Sequence, residues 1–288
     1  MNTVLEIMLN KYNPQNDQEK ENAIKEILQE IALAGLSRGG FFDVAAFYGG
    51  TCLRIFHGLD RFSEDLDFAL IEKKTNFNLE QYFPFLEREF QSFGIEMKAE
   101  SKIKKESDIQ KGFLKGNTVS LMMTFYPNSF DAKRVIADQK IKIKFEIDVD
   151  NPIGGKTELR YQYLPSPYEI QIFDAPTLFA GKICALLFRA YQNRVKGRDF
   201  YDYLFYVKRG TKINMTYLSN KIKNQIDDRI NKQISLDELK SMLKTKFETV
   251  DYENAKLDVI HFINDIDKLR YWNKDFFLST LDLLKKDN

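Results

Sequence analysis

Cysteine and histidine are scarce in this 288-residue chain, with two of each. Cys52 and Cys184 lie far apart, each in an apolar helical pattern, and read as buried thiols rather than a disulfide framework. His57 and His261 share no metal-ligand spacing with each other or with the cysteines, which excludes a His/Cys zinc site. Fourteen glycines and seven prolines are too few for a disordered or collagen-like chain. No run of about 18 apolar residues exists, so no transmembrane helix and no membrane partner is expected. The opening MNTVLEIMLNKYN has no basic region, and Glu6 interrupts its only apolar stretch, so a secretory signal is not expected either. An excess of one charge is also missing: 43 Lys and Arg face 42 Asp and Glu. That balance argues against a protein coated in basic charge but leaves room for a local basic site. Together these absences point to a reducing, cytoplasmic location.

What is present suits a packed core under a heavily charged surface: 43% of residues are hydrophobic and 30% charged. Residues 17–36 have helical spacing, with Asp17 placed to cap them. Val44–Tyr48 reads as a strand that ends at Gly49-Gly50-Thr51, and Thr51–His57 as a short helix stopped by Gly58. Leu66, Phe68 and Leu70 alternate with Asp65, Asp67 and Ala69, the period of a half-buried strand. Leu79–Phe93 reads as a helix, and strands are expected at 95–101, 118–126 and 140–149. The last alternates cleanly: Ile141, Ile143, Phe145, Ile147 and Val149 on one face, Lys142, Lys144, Glu146 and Asp148 on the other. Between them, 101–117 carries five lysines and reads as a solvated hairpin or flexible loop, or as a basic contact for a phosphate backbone. An extended segment at 161–173 is broken by Pro165 and Pro167. From about residue 175 helical periods dominate: Leu178–Tyr191, Arg198–Lys208, a stripe of Met215, Leu218, Ile222, Ile226 and Ile230, a Ser235/Glu238 capping box, and helices at 253–269 and 274–286. The expected organisation is an α/β domain over 1–170 followed by a helical bundle over 171–288.

The chemistry concentrates in 48–68, YGGTCLRIFHGLDRFSEDLDF. Asp65 and Asp67 share one face of a strand, where two carboxylates repel unless positive charge stands between them. A divalent metal such as Mg²⁺ supplies it. Gly49 and Gly50 let the backbone approach a ligand closely at a strand-to-helix turn, where free N–H groups can hold a phosphate and Thr51 can add a hydroxyl. Thirteen residues separate Thr51 from Asp65, enough for one short helix and a return into the next strand. Arg54 and Arg61 flank the segment, either as phosphate ligands or as surface ion pairs. Ser63 reads as a hydroxyl ligand or as a cap at the start of the strand.

The combination GGT-x-LR followed by R-x-S-x-DLDF resembles the DNA-polymerase-β-like nucleotidyltransferases, and most closely the AbiEii-type toxins of abortive-infection, type IV toxin–antitoxin pairs. The resemblance implies an α+β fold, a mixed sheet with flanking helices, with a C-terminal helical bundle. It places a third carboxylate on the 140–149 strand, at Glu146 or, second, Asp148. A second block, 179–206, is similar to the family pattern K-x-x-A-x-x-x-R followed by K-x-R-D-x-x-D. Lys182, Ala185 and Arg189 share one helix face. The resemblance implies that Lys182 contacts the triphosphate and that Asp199 orients Lys182 or assists the nucleophile. Asp202 fixes structure by pairing with an Arg or a helix N-terminus. Arg194, Lys196 and Arg198 form a basic cluster, with Lys196 a nucleotide contact.

The function implied is transfer of a nucleotide from an NTP to a hydroxyl. Gly49, Gly50, Thr51 and Lys182 hold phosphates, while Asp65, Asp67 and Glu146 bind two Mg²⁺ ions. The acceptor is an RNA, such as a tRNA 3′ end, or a protein hydroxyl, and a cognate antitoxin is the expected partner. Two other readings remain open on the residues: a D-x-D metal-dependent glycosyltransferase, and a catalytically inert toxin-like binding module.

Overall fold

The computed structural model describes residues 3–73, 76–102, 109–127, 139–189, 194–226 and 233–287. Its contacts divide the chain into two compact units that interleave in sequence. The first comprises Met1–Cys52, Ser63–Asn151 and Glu158–Ile172, and the second Leu53–Phe62, Pro152–Thr157 and Phe173–Asn288.

The first unit is built on helix α2 (Asp17–Arg38), preceded by the short α1 (Thr3–Leu9). Asn16, not Asp17, caps α2: its side chain accepts from the Glu19 N–H at 2.9 Å. The C-terminal half of α2 is buried almost all round, including Ile27, Leu28, Ile31, Leu33 and Leu36, so it is a central helix rather than a surface one. Beside it stand β1 (Ala45–Tyr48), β2 (Leu66–Leu70), β3 (Lys98–Lys102), β4 (Ile109–Asn117), β5 (Lys140–Asp148), β6 (Thr157–Gln162) and β7 (Tyr168–Phe173). They form a seven-stranded sheet in the order β3-β4-β5-β2-β1-β7-β6. β2 runs parallel to β5 and β1 parallel to β7, while β1–β2, β3–β4 and β4–β5 are antiparallel. The sheet is therefore mixed, and the fold is α+β as expected. Helices α4 (Phe83–Ser92) and α5 (Thr118–Phe125) complete the unit, and α3 (Gly49–His57) begins in it. The Phe41 ring meets Phe68 and Tyr82 edge-on, each with centroids 5.0 Å apart, contacts worth about 0.5–1.5 kcal/mol apiece beyond burial.

One expectation fails here and another is met in part. Residues 118–126 are helical, not extended. Asn117 caps the segment by accepting from the Ser120 N–H at 2.9 Å, and Thr118, Leu121, Met122 and Phe125 bury one helical face. Of the alternatives for the lysine-rich 101–117, the hairpin is the one found: β4 pairs antiparallel with β3, and it is built into the sheet because its other edge pairs with β5. Lys111 and Lys115 of β4 pair with Glu146 and Glu100, respectively, while Lys104 and Lys105 lie outside the described residues.

The second unit holds α6 (Ala175–Phe188), α7 (Gly197–Lys208), α8 (Met215–Ile226), α9 (Leu236–Thr249), α10 (Tyr252–Val259), α11 (Lys274–Ser279) and the short ladder of β8 (Lys212–Ile213) and β9 (Lys285–Lys286). The expected helices at 253–269 and 274–286 are shorter, each continuing through 3₁₀ turns. Ile230 of the expected α8 stripe lies outside the described residues. The capping box forms as read from Ser235 and Glu238. Phe277 centres an aromatic cluster, edge-on to Phe200 at 5.4 Å and Trp272 at 5.5 Å and stacked on Tyr252 at 5.2 Å. At the start of α7 a Cβ on Gly197 would overlap the Ala255 carbonyl of α10, so only glycine lets these helices approach this closely. Among the described residues no helix is long and apolar enough to cross a membrane.

One buried group makes the first unit sensitive to pH. Burial raises the Glu30 carboxyl to about 7; Lys11 opposes the rise and the charge of Glu26 adds to it. Between the ordinary carboxylate value and about 7, folded Glu30 keeps a proton that the unfolded chain has released, so stability falls as pH rises through that window. Glu30→Gln cannot ionise and should lose this dependence. It should gain on the order of 2–3 kcal/mol over the wild type at pH 8, relative to their difference at pH 4.5. Urea midpoints at the two pH values check this, and parallel changes in both proteins would reject it.

Candidate active site

The expected site residues fall into two groups, one on each unit. Gly49, Gly50, Thr51, Ser63, Asp65, Asp67 and Glu146 belong to the first unit, and Arg54, Arg61, Lys182, Lys196 and Asp199 to the second.

In the first group, β1 runs directly into α3 at Gly49 and Gly50. Gly49 has φ +82°, and a Cβ there would overlap the Asp67 carboxylate. The glycine turn and the D-x-D strand are thus in close contact. The N–H groups of Gly50 and Thr51 lie in the first turn of a nine-residue helix and have no partners within it. Thr51 is buried, and its hydroxyl donates to the Asp65 carbonyl oxygen at 2.5 Å, fastening the turn to the start of β2. Gln29, inside α2, donates from Nε2 to the carbonyls of Ser63 at 3.0 Å and Glu64 at 2.9 Å. The backbone that presents Asp65 is therefore held from two sides. Ser63 is buried and contributes its carbonyl to this clamp.

Asp67 lies in register with Glu146 across the parallel β2–β5 pair, so the two side chains leave the sheet on the same face. Asp148, two residues on, is in register with Ala69, and its side chain accepts from the Asp150 N–H at 3.1 Å in the turn that ends the strand. Two lysines answer the carboxylates. Lys111 Nζ lies 2.8 Å and Lys144 Nζ 2.9 Å from Glu146 Oε1, and Lys144 Nζ lies 3.9 Å from Asp65 Oδ2. Burial alone would raise the Glu146 carboxyl, but hydrogen bonds from Lys111 and Lys144 overcome it and hold the carboxyl below its usual range. Burial would lower the Lys144 ammonium, yet Glu146, Asp65 and Asp67 outweigh it and hold it protonated beyond its usual range. Among the described residues no three carboxylate, imidazole or thiolate side chains converge on a metal position. The donor set is nevertheless of the right kind. These are hard oxygens on one face of two adjacent strands, already gathered about a cation, the Lys144 ammonium.

In the second group the central feature is a buried ion network. Asp202 takes two bonds from Arg61, from Nε and Nη2 at 2.7 Å each, and a third contact from Lys182 Nζ at 2.8 Å. Lys182 also reaches Asp199 Oδ1 at 2.8 Å, and Arg189 reaches Asp199 Oδ2 at 2.5 Å. Arg61, Asp199 and Asp202 are at most 3% exposed. Burial opposes the charges of Asp202 and Lys182. The opposite charges prevail, holding the Asp202 carboxyl low and the Lys182 ammonium high. Arg61 is thus neither a surface ion pair nor an open phosphate ligand, because its third nitrogen donates to the Phe62 carbonyl at 2.8 Å. Asp202 pairs with an Arg as expected, and Asp199 holds the Lys182 ammonium. Arg54 donates to the Leu59 carbonyl at 3.2 Å.

Lys196 is the residue before α7, among Arg189, Arg194 and Arg198. Burial and then these arginines push its ammonium below the usual lysine range, while Asp258 opposes the shift. Asp258, buried, is held by Arg194 at 2.5 Å and faces Arg198 at 3.8 Å, and Arg198 lies over the Phe262 ring at 4.1 Å. Residues 190–193 of the second sequence block lie outside the described residues.

Sequence reasoning missed Gln29, Lys111 and Lys144 as site residues. Lys144 could have been found from the i, i+2 spacing that puts it on the Glu146 face. Gln29 carried a weaker signal, an amide within an apolar helix.

A family described as "Nucleotidyl transferase AbiEii toxin, Type IV TA system" matches residues 31–279. Among solved structures, the nucleotidyltransferase toxin MenT4 of Mycobacterium tuberculosis is similar with a TM-score of 0.60 at 13% identity, covering 98% of this chain and 89% of that one. JHP933 from Helicobacter pylori is similar with a TM-score of 0.51 at 19% identity, covering 92% and 91%. At these identities the likeness concerns the fold. No curated protein sequence matches the chain.

The ion network sets a stability test. Asp202→Ala leaves the buried Arg61 guanidinium without its bidentate partner and Lys182 with one carboxylate fewer. It should lower stability by about 3–5 kcal/mol in denaturant unfolding. A loss under about 1 kcal/mol would mean the network is solvated and carries little.

Proposed function

The chain belongs to the AbiEii nucleotidyltransferase toxin family of type IV toxin–antitoxin systems, and on that premise we propose that it transfers a nucleotide from an NTP to an RNA hydroxyl, a tRNA 3′ end being the first choice. The observation that carries the reading is the glycine turn seated on the D-x-D strand, with no room for a Cβ between Gly49 and the Asp67 carboxylate. The contact between Gly49 and Asp67 supports reading the turn as a phosphate cradle and the strand as a source of metal-binding carboxylates, the two parts that phosphoryl chemistry on a nucleotide needs.

In this reading the sheet unit is the transfer domain. The N–H groups of Gly50 and Thr51 at the start of α3 receive phosphate oxygens. The Thr51 hydroxyl, already bonded to the Asp65 carbonyl, keeps the cradle aligned with the strand. Asp65, Asp67 and Glu146 would hold Mg²⁺, with Glu146 preferred to Asp148 because Glu146 is the one in register with Asp67. Bound there, the metal would neutralise phosphate charge and lower the pKa of the acceptor hydroxyl. Lys182 serves the triphosphate, with Asp199 and Asp202 holding its ammonium in place. Arg61 acts on phosphate only through Asp202, as a positioning residue. Lys196 and its neighbouring arginines supply positive charge for nucleotide or RNA phosphates. The acceptor oxygen bonds to the α-phosphorus, the bond to the β-phosphate breaks, pyrophosphate leaves and the hydroxyl proton passes to solvent. A cytoplasmic setting, with a cognate antitoxin as its counterpart, fits these substrates.

Incubation with each α-labelled NTP, Mg²⁺ and total RNA should label RNA and release pyrophosphate. Asp65→Ala with Asp67→Ala should cut the rate by at least about 100-fold, the loss of about 2.7 kcal/mol of transition-state stabilisation, with the fold intact by circular dichroism. Label on protein instead would move the acceptor to a protein hydroxyl. No transfer from any NTP to RNA or protein would overturn the proposal.

A further inference from the structure

We propose that Lys144 is an internal counter-cation of the carboxylate cluster, which a divalent metal must displace, so that metal and nucleotide bind cooperatively. This rests on the reading of Asp65, Asp67 and Glu146 as metal ligands.

Lys144 and Glu146 leave β5 on the same face, and Glu146 is in register with Asp67 on β2. The Lys144 ammonium stands 2.9 Å from Glu146 Oε1 and 3.9 Å from Asp65 Oδ2, so it touches two strands of the proposed metal site at once. Lys111, from β4, meets Glu146 at the same oxygen, 2.8 Å away, and no other carboxylate among the described residues. With the ammonium bridging Glu146 and Asp65, the carboxylates do not converge on a metal position among the described residues. A Mg²⁺ ion needs oxygens at about 2.0–2.1 Å, far closer than an ammonium draws them. A metal ion and the ammonium cannot share this cluster without strong repulsion, so one must leave.

Lys144 can leave. Its side chain is 31% exposed and ends on a flexible four-carbon stem. Departure costs it both carboxylate partners. A bound triphosphate beside the cradle supplies a replacement anion, which removes that cost. The nucleotide therefore favours the metal-loaded arrangement, and by linkage the metal favours nucleotide binding to the same degree. Without nucleotide the lysine competes with metal for the cluster and weakens its binding.

Mn²⁺ affinity of the 288-residue protein, read by electron paramagnetic resonance with and without a non-hydrolysable NTP analogue, tests this. Lys144→Met should bind Mn²⁺ about tenfold more tightly than wild type in the absence of nucleotide, within the usual 5–150-fold range of coupling. Its gain in Mn²⁺ affinity on adding the analogue should be correspondingly smaller. Lys144→Gln, which keeps a polar side chain on the strand, should behave the same way should the methionine variant fold poorly. Lys111→Met should change Mn²⁺ affinity less. Equal or weaker Mn²⁺ binding by both Lys144 variants, alongside wild-type binding that Asp65→Ala abolishes, overturns the role of Lys144 and leaves the metal site standing. No Mn²⁺ binding by wild type or variants, with or without nucleotide, removes the metal-site reading and this inference with it.

Discussion

Carboxylates on neighbouring strands can share a face only while positive charge stands among them, and much of this molecule is arranged around that requirement. Asp67 and Glu146 are placed side by side by the parallel pairing of β2 and β5, and Asp65, the residue before β2, meets the same cluster through Lys144. Lys111 and Lys144 come from the two strands nearest to hand. Around this charge pattern the backbone is pinned from outside, by Thr51 on one side and Gln29 on the other. The carboxylates are thus fixed by main-chain geometry, while the cations that answer them sit on long, adjustable side chains.

The helical unit solves the inverse problem. There two carboxylates, Asp199 and Asp202, are sunk almost completely and three cations converge on them. Burial makes each charge expensive alone and the set strong only when complete. The network leaves a surplus of one positive charge in the set, and Arg194, Lys196 and Arg198 add more nearby. An almost neutral chain therefore contains a cluster of paired carboxylates and lysines on its sheet and a locally basic end on its helices.

Much of this was legible in the sequence, for local reasons. The alternation of Lys140–Asp148, the glycine turn and the D-x-D strand are all encoded within ten or so residues, and they lie where the period placed them. Thr118–Phe125 was misread because its apolar residues satisfy both periods, and the choice was made by Asn117 as a cap. The long helices expected near the C-terminus shortened because helical spacing there continues through 3₁₀ turns. Arg61 could not be placed from its surroundings. Its partner, Asp202, lies 141 residues away, and no pattern of neighbours announces a buried pair of that separation. The same holds for Lys144, whose spacing to Glu146 was visible but whose approach to Asp65 required β2 and β5 to be adjacent.

The interleaving of the two units bears on how the chain reaches its folded state. The sheet cannot be completed until β6 and β7 have emerged, and the helical unit borrows Leu53–Phe62 from far upstream. Arg61 is thus made early and must wait for Asp202 before its charge is answered. Pairings of such separation impose a high loop-closure cost and slow folding. A ribosome-bound nascent chain would carry Arg61 long before Lys182, Asp199 and Asp202 existed, so synthesis order itself delays assembly of the buried ion network until most of the polypeptide has been translated.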